Sequence, residues 1–174
     1  IQTSLVGSEM CIRDRDGGTD YTSGSPVPVD DFSDGDYEGH GTNVTGVIGA
    51  LRNNGKGISG IAGGDIDEGE GEGVHFLSMT VFDASGGGPL THVIQATVDA
   101  VLQTGEAQFD LMNNSYGYRP SDPNFNANNI AAFRDAMRLA FKAEIVIINA
   151  RGNDELGAGS QSITVPANMS PTPT

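Results

Sequence analysis

The sequence predicts an α/β fold, a mostly parallel twisted sheet with helices on both of its faces. Two observations carry this expectation. Between residues 39 and 165, apolar runs of strand length alternate with amphipathic runs of helical length, joined by Gly-rich connections. Strands separated by helices pair in parallel through crossover connections that lay the helices on the sheet. In such sheets, ligands bind beyond the carboxyl ends of the strands.

Over residues 40–51 the apolar positions Val44, Val47, Ile48 and Leu51 recur at helical spacing and leave one face to bury. Residues 74–82 are rich in β-branched and aromatic side chains and read as a strand. Thr91 is placed to cap a helix carrying Val93, Ile94, Val98, Val101 and Leu102, which stops at Gly105. Residues 109–112 form a short strand that runs into the polar Asn113-Asn114-Ser115. Residues 129–142 give the clearest helix, with Ile130, Phe133, Met137, Ala140 and Phe141 on one stripe. Residues 145–148 are continuously apolar, as a strand buried on both faces would be. Residues 1–38 are polar and turn-rich without sustained periodicity, and residues 168–174 are a Pro/Thr/Ser stretch unfit for a helix or a central strand.

Composition narrows the function. A chain of 174 residues suits one domain, and its 25 glycines imply many loops. Lys and Arg number 9 against 23 Asp and Glu, a net charge of -14. That field repels polyanions, which argues against nucleic acid or an anionic membrane as partner. No apolar run approaches the ~18 residues that span a bilayer. The single cysteine, Cys11, excludes an internal disulfide framework. Residues 1–15 lack both Met at the start and the pattern of a signal peptide.

Of the three histidines, His75 sits in a predicted strand and His92 on a predicted helix, and both read as packed or solvated imidazoles. His40 stands in Gly39-His40-Gly41-Thr42-Asn43-Val44-Thr45-Gly46, where a polar loop becomes a helix. Flanking glycines let a substrate approach the ring, and imidazole exchanges protons near neutrality, as a general base must. On chemistry alone, a helix-start histidine beside a Gly-rich turn is equally served.

This motif resembles the histidine motif of the subtilisin-like serine proteases, the subtilases. Its continuation, Ile48-Gly49-Ala50 through Asn53-Asn54-Gly55 to Gly57-Ile58 and Gly60-Ile61-Ala62, is similar to the stretch that comes after the histidine in that family. Two positions depart, since Asn43 stands where the family usually has a second histidine and Thr45 where it has a small apolar residue. Further matches occur in family order. Asn113-Asn114-Ser115-Tyr116-Gly117 looks like the family's Asn-x-Ser-x-Gly segment, one wall of its substrate cleft. Ser85-Gly86-Gly87-Gly88 resembles the opposite wall, where a backbone without side chains pairs with an extended peptide. Ala150-Arg151-Gly152-Asn153 resembles the Ala-x-Gly-Asn segment whose asparagine donates to the oxyanion, with Arg151 bulkier than the usual residue there. Pro166-Ala167 is similar to a later family loop.

The resemblance, spanning residues 37–167, implies a secreted, monomeric serine endopeptidase acting on polypeptides by Ser–His–Asp acyl transfer. It assigns His40 as general base, Asn153 as oxyanion donor, and Gly86, Gly87, Gly88, Ser115, Tyr116 and Gly117 as peptide-binding residues. The chemistry requires no cofactor. Structural Ca²⁺ is implied in the loop at residues 51–58. Two acidic clusters, Asp30, Asp31, Asp34, Asp36 and Glu38, then Asp65, Asp67, Glu68, Glu70 and Glu72, offer hard oxygen ligands but read as solvated loops. The nucleophile should lie about 157 residues after the histidine, beyond Thr174, and no Gly-Thr-Ser motif occurs here. Ser160 and Ser162 read as loop serines. The acid should lie about 32 residues before His40, where Gly7-Ser8-Glu9 stands. Asp16, followed by two glycines, is the alternative. Residues 1–15 match no family pattern and read as an appended stretch ahead of a partial catalytic domain over residues 16–174. A chain lacking the serine should be inactive by itself. The rival reading, favoured by Asn43, Thr45 and Arg151, is a non-catalytic calcium- or peptide-binding module on the same fold.

Overall fold

The computed structural model describes residues 2–5, 15–24, 26–29, 39–65, 73–83, 85–102, 109–118 and 126–150. Its elements run β1 (Gln2–Leu5), β2 (Arg15–Asp20), β3 (Val27–Val29), α1 (His40–Gly49), β4 (His75–Thr80), α2 (Leu90–Leu102), β5 (Leu111–Asn114), α3 (Ala127–Lys142) and β6 (Val146–Asn149). The strands form one sheet in the order β3-β2-β4-β1-β5-β6. All neighbours pair in parallel except β2 and β3, which are antiparallel. The expected α/β architecture is therefore present.

Alternation along β4 assigns a helix layer to each face. Phe76 is buried with Val74 beneath Val44 and Ile48 of α1. Met79 and Val81, at the opposite parity, join the main core with Leu90, Val93, Ala96 and Ala100 of α2 and Phe133, Met137 and Ala140 of α3. Phe133 is fully enclosed. Replacing it with Ala removes a large side chain from a core that cannot collapse fully, so Phe133→Ala should cost about 3–5 kcal/mol. Urea denaturation checks this; a loss under about 1 kcal/mol would mean that Phe133 does not hold α3 on the core.

Boundaries shift where local chemistry overrides pattern. Asn126, not a later residue, caps α3, its side chain accepting from the Asn129 N–H at 3.0 Å. Thr91 lies inside α2 rather than capping it. Asn113 and Asn114 belong to β5, because both pair with β6. The last carbonyls of α1 are satisfied by the returning chain, with Ile61 N–H donating to Val47 O and Ala62 N–H to Ile48 O.

Two expectations are corrected. Residues 1–38, read as polar and turn-rich without sustained periodicity, supply three strands, and β1 lies within the sheet between β4 and β5. Residues 145–148, read as a strand buried on both faces, begin one residue too early. Here β6 ends the sheet beside β5 and leaves Val146 58% and Ile148 47% exposed. A continuous apolar run is buried only where both faces of the strand are covered; Ile147 packs against the main core, whereas the face carrying Val146 and Ile148 is open among the described residues.

Candidate active site

The carboxyl ends of the strands carry the candidate site. Gly39 adopts a left-handed backbone (φ 69°) that turns the chain into α1, and His40 is the first helical residue. Its imidazole is exposed. It opens onto a shallow, solvent-open hollow lined by His40, Gly41, Val44, Phe82, Asn113, Ser115 and Tyr116. Phe82 comes after β4, and Ser115 and Tyr116 come after β5, so three elements converge where an α/β sheet binds ligand.

The structure thus joins His40 to Ser115 and Tyr116, which the sequence placed in separate motifs. Gly117, exposed, continues the segment outside the hollow. Ser115 Oγ accepts from Asn113 Nδ2 at 2.8 Å, which orients it. The Tyr116 ring meets Phe82 edge to face, centroids 5.5 Å apart at 71°. Enclosure, and secondarily the Tyr118 phenol, push the Tyr116 hydroxyl well above its ordinary ionisation range, so it stays neutral.

After Phe82, Asp83 and residues 85–88 are fastened to one another. The Asp83 N–H donates to Gly87 O and the Gly86 N–H to Asp83 O, both at 2.9 Å. Asp83 Oδ1 accepts from both the hydroxyl and the N–H of Ser85. These two bonds, the hydroxyl's first, hold the exposed Asp83 carboxyl below its ordinary value. Gly86 has a positive φ of 72°, and a Cβ on Gly88 would stand 2.6 Å from Val81 O. A side chain at either position is resisted by strain or by backbone contact.

Behind the hollow, the ends of β5 and β6 are clasped. Asn114 Nδ2 donates to Asn149 Oδ1 at 2.9 Å, and the Ala150 N–H donates to Asn114 O at 3.0 Å. Asn153 comes three residues later, outside the described residues, as do Ser160, Ser162 and Pro166-Ala167. Asp16 is the second residue of β2. Glu9 lies outside the described residues, as do Asp30, Asp31, Asp34, Asp36, Glu38, Asp67, Glu68, Glu70 and Glu72.

In the loop after α1, Asn53 Nδ2 faces both carboxylate oxygens of Asp65 at 2.8 Å. These two bonds close the loop on itself. Among the described residues, no three His, Cys, Asp or Glu side chains cluster to hold a metal. Nor, among them, is any helix long and apolar enough to cross a membrane. Sequence reasoning missed Phe82 and Val44 as lining residues and Tyr118 as a contact of the glycine segment. Aromatic side chains just past two parallel strands were the available signal.

A histidine at a helix start, poised over a hollow at the carboxyl ends of a parallel sheet, defines an α/β protein with its site at the strand ends. The subtilase family pattern matches residues 6–172, and the chain belongs to that family. It is 26% identical over 170 residues to a thermophilic serine proteinase of Bacillus sp. (strain AK1), covering 92% of this chain and 36% of that protein. Sphericase has a similar fold, with a TM-score of 0.63 at 20% identity, covering 95% of this chain and 49% of that structure. The chain thus spans about a third of the one relative and half of the other.

Proposed function

We propose that this chain is the base-bearing part of a secreted serine endopeptidase that cleaves polypeptides by acyl transfer. The observation that carries the proposal is the meeting of His40 with Ser115 and Tyr116 at one hollow. In this reading a peptide lies extended, its backbone hydrogen-bonding residues 115–117 on one side and Gly86, Gly87 and Gly88 on the other, as an added strand would. His40 takes the proton of a serine hydroxyl as its oxygen bonds to the scissile carbonyl carbon. The Asn153 amide donates to the developing oxyanion. His40 then passes the proton to the leaving amine as the C–N bond breaks, and water releases the acyl group by the same route in reverse. In this reading the serine, and the acid with it, come from outside this chain, supported by the absence of a Gly-Thr-Ser motif and by Gly7-Ser8-Glu9 standing where the acid is expected. No step requires a cofactor.

The test is to recover the gene on both sides of this stretch, express its whole product, and assay casein hydrolysis with and without a serine-directed phosphonate. Phosphonate-sensitive hydrolysis is expected from the whole product and none from the 174 residues alone. A folded whole product that hydrolyses nothing refutes the proposal and favours a peptide- or calcium-binding module, in keeping with Asn43, Thr45 and Arg151.

A further inference from the structure

Tyr118 ties the segment leaving β5 to the glycine segment that comes after β4. Its hydroxyl donates to Gly88 O at 2.8 Å, across 30 positions of sequence. The side chain is buried, 5% exposed, and its ring lies tilted on Phe82 with centroids 6.1 Å apart. Phe82 in turn carries the edge contact to Tyr116. One aromatic stack and one directional bond therefore run from the chain leaving β5 to the end of the glycine turn.

The turn itself is internally fastened. Asp83 and Gly87, then Gly86 and Asp83, are joined by backbone hydrogen bonds, and Asp83 holds Ser85. A unit so closed moves as one body, so its distance from residues 115–117 is set by what joins it to them. Phe82 supplies packing, which tolerates sliding. The hydroxyl of Tyr118 supplies direction, because a hydrogen bond weakens steeply when its length or angle changes. A phenylalanine would fill the same space without that constraint.

We infer that Tyr118 is a positioning residue that sets the gap between the glycine turn and residues 115–117, and so favours extended peptides long enough to touch both. The inference rests on the proposed peptide-binding role of those two segments. A short substrate reaching only the hollow at His40 does not sense the gap.

The test uses the whole gene product and Tyr118→Phe, with a thermal midpoint to show that the variant folds. For an internally quenched peptide of about eight residues, KM should rise about tenfold, the scale of one lost hydrogen bond. For a single-amino-acid ester, KM should shift less than about twofold, and kcat should hold for both substrates. A merely structural tyrosine would change both substrates alike, and that result, or no change in either, overturns the inference. Should the unmodified protein cleave neither substrate, the proposed function fails, and crystal structures of the two forms decide this inference separately. In Tyr118→Phe the spacing between Gly88 and residues 115–117 is expected to widen, whereas unchanged spacing overturns the strut.

Discussion

His40→Ala in the whole gene product should lower kcat about 10⁶-fold while leaving KM nearly unchanged. That is the scale of loss when the base of this family's triad is removed, since the histidine acts on the reacting proton and not on the bound peptide. The imidazole is exposed at the start of α1 and opens on the hollow, so its removal leaves no buried cavity. Stability should therefore change by less than about 0.5 kcal/mol. Steady-state kinetics beside a melting curve separates the two effects. A variant that melts early but turns over normally would make His40 a helix-start residue only.

The second large effect is expected at Asn153. Asn153→Ala should reduce kcat about 10²–10³-fold, again with little change in KM, because the amide's donation matters only once the carbonyl oxygen gains charge. The chain reaches Asn153 from a firmly held start. Ala150 is bonded to the Asn114 carbonyl, and Asn149 to the Asn114 amide, so the end of β6 cannot drift from β5. Single-turnover kinetics with an ester and an amide substrate checks the assignment. An equal loss in KM would place Asn153 in ground-state binding instead.

The legible parts of this protein were those written locally. The α1 motif announces a loop, a helix and a poised histidine within a few residues, and glycines at residues 39 and 41 have no bulk to hide the ring. The amphipathic stripe of α3 needs no distant partner to be recognised. β1 and β2 were illegible for the opposite reason. Gln2–Leu5 and Arg15–Asp20 show no alternation, and they are strands because β4 offers both its edges for pairing. β6 misled because its apolar run suits a strand covered on both faces, whereas the face carrying Val146 and Ile148 is exposed.

At the site, the sequence named His40, Ser115 and Tyr116 but not Phe82, the aromatic that joins them. It named Gly86, Gly87 and Gly88 but not the Tyr118 hydroxyl bonded to the last of them. Contacts between residues 30 apart leave no spacing to read.

The most direct test is a crystal structure of the whole gene product bound to a peptide boronic acid. The inhibitor backbone is expected to lie extended between Gly86, Gly87 and Gly88 on one side and residues 115–117 on the other. The His40 imidazole should lie within about 2.6–3.2 Å of a boronate oxygen. An inhibitor seated away from the hollow, or a boron attended by a different histidine, would contradict it.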